Sequence, residues 1–205
     1  MNTYKTAVVI ILPREVWPPI QAIRKDHDRN YRRWMPHITL LYPFRKRDRF
    51  AQVAANMREV CQSIRPFDFC LATVGMFEHC RQNYTLWLAP EPREVISALQ
   101  EAVWQVVPDC DNTRRHPGGF TPHLSIGQQR GERQATQWLV ELQQSWQPLT
   151  MHVADVSLIW RNDPPDDLFR VGEELTLGEH AGDESAQGQV CANSTVLSLA
   201  TDTTI

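Results

Sequence analysis

Two tetrapeptides in different halves of the chain follow the same pattern. His37-Ile38-Thr39-Leu40 and His123-Leu124-Ser125-Ile126 each come after a proline, and each sets a hydroxyl two residues beyond an imidazole. Side chains on a strand alternate between faces, so His37 shares a face with Thr39, and His123 with Ser125. Ile38, Leu40, Leu124 and Ile126 then point to the opposite side. Two imidazoles around one small anion suit paired proton transfer. A neutral ring removes a proton from an attacking water, and a protonated ring delivers one to the departing oxygen. Thr39 and Ser125 can donate hydrogen bonds to phosphoryl oxygens as charge develops there. This is a way to hydrolyse a phosphodiester without a metal. One His-x-Thr carries almost no information, whereas two in matching contexts carry a good deal.

The elements that must position these residues also come twice. "TAVVIILP" predicts a buried strand, "PPIQAIRKDHDRN" a short helix, and "PHITLLYPF" a strand closed by Pro43. "DRFAQVAANMREVCQSI" spaces Phe50, Val53, Met57, Val60 and Ile64 as an amphipathic helix, with Asp48 as its cap. "FDFCLATVGMFE" and "YTLWLAP" form a hairpin through "HCRQN". The order then repeats: helix "PREVISALQEAVWQVV", strand "FTPHLSIGQQ", helix "RQATQWLVELQQSW", and strands "LTMHVADVSLIWR" and "LFRVGEELTL". Strand, helix, motif strand, helix is an internal duplication. Residues 1–178 make one domain of two pseudo-symmetric lobes. Residues 179–205, rich in small and polar residues without apolar periodicity, are expected to be a flexible tail.

Composition narrows the class. At 205 residues and 42% hydrophobic, the chain can bury one core or two lobes sharing one. A net charge of −3 argues against coating nucleic acid non-specifically. Five cysteines, an odd number with no Cys-x-x-Cys, argue against a disulfide framework and for a reducing compartment. The apolar run from Ala7 to Leu12 is too short for a signal or a membrane span. The expectation is a soluble cytoplasmic monomer. His79 and Cys80 lack further ligands at sensible spacing, so neither metal nor cofactor is expected; His27, His116, His152 and His180 are read as structural or solvated. Between Arg24 and Arg49, nine Arg or Lys face three Asp, giving about +6 and leaving about −9 elsewhere. Arg114, Arg115, Arg130 and Arg133 flank the second motif. Together these cations suggest a basic rim around a groove. From charge and aromatic placement, Arg33, Trp34, Tyr42 and Arg130 are the candidate substrate-binding residues.

The paired motifs, their preceding prolines and the order of elements from about Lys5 to Leu177, including "YTLWLAPEP", resemble the two-histidine (2H) phosphoesterase superfamily. That superfamily includes the RNA 2′,3′-cyclic phosphodiesterases, also called 2′-5′ RNA ligase-like proteins. The resemblance implies an α+β fold: bilobal and duplicated, with two antiparallel β-sheets lining a central groove and helices packed outside. It also implies metal-independent opening of 2′,3′-cyclic phosphates, on RNA ends or small nucleotides, to 2′-phosphates. By position His37, Thr39, His123 and Ser125 carry over as the catalytic residues, and Ser125 is an accepted variant. Three other readings stay open: the same chemistry on another cyclic nucleotide, 2′-5′ ligation, and a non-catalytic binder of RNA ends.

Overall fold

In the computed structural model, which describes residues 1–115 and 118–178, each predicted run becomes a strand or helix of the expected kind. In chain order the elements are β1 (Asn2–Thr3), β2 (Thr6–Ile11), α1 (Trp17–His27), β3 (His37–Leu41), β4 (Phe44–Arg45), α2 (Phe50–Gln62), β5 (Phe67–His79), β6 (Asn83–Glu91), α3 (Arg93–Val106), β7 (Leu124–Arg130), α4 (Glu132–Ser145), β8 (Leu149–Val153), β9 (Asp155–Trp160) and β10 (Arg170–Thr176). The predicted tail, with His180 and Cys191, and the loop residue His116 lie outside the described residues.

Two four-stranded antiparallel sheets dominate, in the orders β10-β9-β2-β3 and β7-β6-β5-β8. The motif strands β3 and β7 hold the same edge position in each sheet and contact one another. The helices follow the duplication. α1 packs on β7 and α3 reaches β3, so each half supports the other half's motif strand. α2 covers β9 and β10, while α4 covers β5, β6 and β7. The result is an α+β fold of two pseudo-symmetric halves, with helices and antiparallel sheets arranged as the duplication predicts.

The structure corrects two details. "LTMHVADVSLIWR" is two strands, not one: β8 adds to β5 in one sheet, and after Ala154 β9 adds to β2 in the other. β9 is central and buried on both faces over Val156–Ile159, so it shows no alternation to mark where it begins. Asp48 sits in a 3₁₀ turn at Arg47–Arg49, and α2 starts after Arg49 with no side-chain cap. Among the described residues Cys61, Cys80 and Cys110 are free thiols. Among the described residues, no helix is long and apolar enough to cross a membrane.

Alternation along β2 divides the core. Val8, Ile10 and Leu12 join Ile38, Leu40, Leu124 and Ile126 in the main core beneath the helices. On the other face Ala7 and Val9 join Ile159 and Phe169 in a smaller cluster, flanked by Ile11, Trp34, Met35 and Tyr42. This second cluster underlies the face that carries His37 and Thr39.

A buried ion pair at the end of α1 ties the halves together. The side chains of Arg24 and Asp28 are 2% and 3% exposed, and Arg24 Nε donates to Asp28 Oδ2 at 2.8 Å. Burying two charges is costly unless their remaining hydrogen-bonding positions are filled. Here Arg24 also donates to Gln21 Oε1 (3.0 Å) and to the Trp34 carbonyl (3.0 Å), while Asp28 Oδ1 accepts from the Asn30 amide (2.9 Å) and from Gln128 Nε2 on β7 (3.3 Å). The neighbouring Gly127 makes this approach possible. A Cβ there would fall 2.7 Å from the His27 Cβ and 2.5 Å from the Trp138 ring. Asp28→Ala, which strands the Arg24 charge, is expected to cost about 3–5 kcal/mol in urea unfolding. A loss below about 1 kcal/mol would show that the pair does not hold the halves together.

Candidate active site

His37 opens β3 opposite Ile11, with Thr39 opposite Val9. His123 stands one residue before β7, slightly outside the strand predicted for it, and Ser125 lies opposite Trp87. The expected alternation holds on both sides. His37, Thr39, His123 and Ser125 are half-buried, whereas Ile38, Leu40, Leu124 and Ile126 are at most 1% exposed.

Both rings are held in the same way. His37 Nδ1 lies 2.7 Å from the carbonyl of Met35, and His123 Nδ1 lies 2.8 Å from the carbonyl of Thr121. Each carbonyl belongs to the residue two positions before its histidine. A carbonyl only accepts, so Nδ1 must carry the hydrogen, and Nε2 is the basic nitrogen of the neutral ring. The prolines at 36 and 122 lie between the carbonyls and the histidines. They bias the residues before them toward extended backbone.

The aromatic surroundings differ between the two. Trp34 stacks on His37, with centroids 4.5 Å apart and planes 13° apart, and its own ring packs on Phe169 at 3.7 Å. His123 instead meets ring edges, with Phe77 at 4.9 Å and Trp87 at 6.0 Å. Trp87 and Phe77 stack at 4.8 Å, and Trp87 lies flat against Gly75, where a Cβ would fall 2.3 Å from the ring. Burial pushes the His37 imidazole down to about 4, and charge on Arg24 and His123 acts in the same direction. The Met35 carbonyl and Asp28 oppose this without reversing it. His37 is therefore neutral near pH 7, and its titration senses charge on His123.

The other predicted residues fare unevenly. Trp34 is committed to His37 and Phe169, so it is a support for the imidazole before it is a platform for a base. The Tyr42 ring stands edge-on to Trp34 at 5.4 Å, and its hydroxyl donates to the Tyr4 carbonyl at 3.1 Å. Burial raises its pKa. Arg33 pairs with Asp167 at 2.6 Å. Arg130 ends β7 five residues beyond Ser125, about 17 Å away at strand rise, so the fold does not bring it to the motifs. The expected basic rim is also thinner than charge counting suggested. Arg45 pairs with Asp109, Arg114 with Glu101 and Arg115 with Asp111, and Arg114 also lies over Trp104.

The remaining described histidines each have a neighbour of their own away from the motifs. His27 packs on Trp138, His79 meets the Thr85 hydroxyl, and His152 pairs with Asp68. Among the described residues no group of three His, Cys, Asp or Glu is placed to hold a metal ion. Sequence reasoning missed Phe77 and Trp87. The alternation of "YTLWLAP" marks which face Trp87 takes, but only the pairing of β6 with β7 sets it beside Ser125.

Residues 12–165 match the family model of the 2′-5′ RNA ligase superfamily. A protein of Bacillus pumilus (strain SAFR-032) named "Putative phosphoesterase" is 27% identical over 125 residues, covering 60% of this chain and 70% of that protein. Oceanobacillus iheyensis OB1230, which bears the same name, is 23% identical over 175 residues, 85% of this chain and 98% of its own. Among solved structures, TT0787 of Thermus thermophilus aligns with a TM-score of 0.57 at 21% identity, covering 86% of this chain and all of that one. LigT of E. coli complexed with 3′-AMP aligns with a TM-score of 0.55 at 18% identity, covering 86% and 99%. The order of strands and helices, the twin histidine motifs on facing edge strands and the match over most of the length converge: the chain belongs to the 2′-5′ RNA ligase superfamily of two-histidine phosphoesterases.

Proposed function

We propose that this chain is a cyclic phosphodiesterase that opens 2′,3′-cyclic phosphates, on RNA ends or small nucleotides, to 2′-phosphates. The observation that carries this reading is the matched pair of Nδ1–carbonyl contacts, which makes Nε2 the basic nitrogen on both motif histidines. LigT, which shares the fold, has been solved with 3′-AMP and with ATP, and this favours a nucleotide as the ligand.

The lowered pKa of His37 suggests how the roles divide. Neutral His37 takes a proton from water through Nε2, and the water oxygen forms a new bond to phosphorus. The bond from phosphorus to the 3′-oxygen breaks, and protonated His123 supplies the proton that this oxygen needs. The product carries a 2′-phosphate and a free 3′-hydroxyl. Thr39 and Ser125 donate to the non-bridging oxygens, whose charge grows in the transition state. No step calls for a metal, so activity should survive EDTA.

Single His37→Ala and His123→Ala variants should each lose about 10²–10⁴-fold in rate on cyclic mononucleotides. The double variant should lose little more, because groups acting as one unit are non-additive. Thr39→Val and Ser125→Ala should cost less than either histidine. Turnover near that of the unaltered protein in either single histidine variant would show that the two histidines are not a catalytic pair.

The pH profile tests the assignment separately. A base with a lowered pKa stays deprotonated at lower pH, so kcat/KM should rise through an acid limb near pH 4 and fall on the alkaline side as the general acid loses its proton. In His37→Ala the acid limb should vanish. An acid limb at or above pH 6.5 would give the base role to another group.

A further inference from the structure

Where β2 ends, the sheet face that carries His37 opens into a cavity of about 410 Å³. Strand pairing fixes which face this is. Val9 stands opposite Thr39 on one side and opposite Ser157 on the other, and Ser157 stands opposite Glu174. Thr39, Val9, Ser157 and Glu174 therefore form one row on one face of the sheet. Asp155 lies two residues before Ser157 and shares that face. Ser157, Glu174 and Asp155 all line the cavity. It also adjoins the motif histidine. Ile11, opposite His37 on the neighbouring strand, lines it, and so does Met35, whose carbonyl accepts from His37 Nδ1. Adjacent strands lie about 4.8 Å apart, so the cavity begins one strand from His37, and Ser157 lies two strands, about 10 Å, from Thr39.

Its lining combines apolar surface with hydrogen-bonding groups that lack partners. Ser157 is 3% exposed, yet its hydroxyl makes no hydrogen bond among the described residues. A polar group at that depth ordinarily has a partner. Asp155 and Glu174 are exposed and have no ion-pair partner among the described residues. Of the basic groups at the cavity, His152 is committed to Asp68, and Arg14 lies over the Trp17 ring at 5.5 Å. Two unpaired carboxylates disfavour an anion here. Ile11, Met35 and the Trp17 ring supply the walls, and the Trp17 indole N–H is anchored on the Leu12 carbonyl at 2.8 Å. Apolar walls around a hydroxyl donor and neighbouring carboxylates fit a neutral planar ring whose edge sets an acceptor beside two N–H donors. Guanine has that edge: O6 accepts, while N1–H and the N2 amino group donate. Uracil presents one N–H between two carbonyls, and a carbonyl repels a carboxylate.

We infer that this cavity is the base subsite for the nucleotide whose cyclic phosphate lies between His37 and His123, and that it selects guanine. Ser157 donates to O6, and Glu174, with Asp155 beside it, accepts from N1–H and the N2 amino group. One ribose and the width of a base cover the span from Thr39 to Ser157. The inference rests on the proposed function and deepens it by naming the base.

The test measures kcat/KM for the 2′,3′-cyclic phosphates of guanosine, adenosine, cytidine and uridine. Guanosine should lead uridine by at least about tenfold, the discrimination that one good bidentate contact gives. In Glu174→Gln and in Ser157→Ala that ratio should fall to within about threefold. Glu174 is exposed on the edge strand β10, so its isosteric variant keeps the fold, and circular dichroism checks both variants. Equal efficiency on all four substrates in the unaltered protein, or a ratio kept in both folded variants, overturns the subsite and leaves the phosphodiesterase reading intact. Guanosine and uridine 2′-monophosphates, titrated calorimetrically onto the unaltered protein, read the cavity without turnover. The guanosine product should bind at least about tenfold more tightly. If no cyclic phosphate is opened while this preference appears and is lost in Glu174→Gln, the catalytic reading fails and the subsite stands.

Discussion

The Arg24–Asp28 pair is the buried interaction on which the arrangement of both motifs depends. Through its Nη2, Arg24 fixes the Trp34 carbonyl, and the Trp34 ring lies flat on His37. Through Oδ1, Asp28 reaches Gln128, on the same strand as Ser125. One salt bridge therefore reaches the imidazole of one half and the motif strand of the other. A buried pair of this kind adds little net stability over apolar packing, but losing either member is expensive. Its contribution is registry: it sets how the end of α1 sits against β7, and Gly127 provides the space.

Within that frame the two halves follow the same rule with different surroundings. Each histidine is clamped by the carbonyl two residues before it, which fixes the tautomer. Each hydroxyl follows at the strand period. The supports then diverge, a parallel tryptophan for His37 and two ring edges for His123. In the proposed mechanism acid and base must differ in proton affinity to cooperate near neutral pH. A duplicated fold starts with identical groups, so the difference has to come from what packs on them. Desolvation by the Trp34 cluster, with Arg24 nearby, supplies it for His37.

Much of this was legible in the sequence because the informative signals are local. The twin tetrapeptides, period-two alternation in "HITL" and "HLSI", and the helix spacing around Met57 and Leu99 each lie within a few residues. What stayed hidden depends on partners distant in the chain. Arg33 and Arg45 looked like free cations until Asp167 and Asp109 were found beside them. Arg24 and Asp28 have ordinary i, i+4 spacing, and nothing local says that both are buried. Trp34 looked like an open stacking surface because its cover, Phe169, comes from the other end of the chain. The break at Ala154 is silent for the same reason: which sheet a strand joins is decided by its neighbours.

The central claim, that His37 and His123 are a matched acid–base pair acting on one phosphate, is tested most directly by imidazole-selective NMR of ¹⁵N-labelled protein titrated with pH and with a cyclic-phosphate analogue. The account predicts the Nδ1–H tautomer for both neutral rings, His37 staying neutral to below pH 5, and displacement of both Nε2 resonances by the same equivalent of ligand. An Nε2–H tautomer on either ring, or a ligand that displaces only one of them, would contradict it.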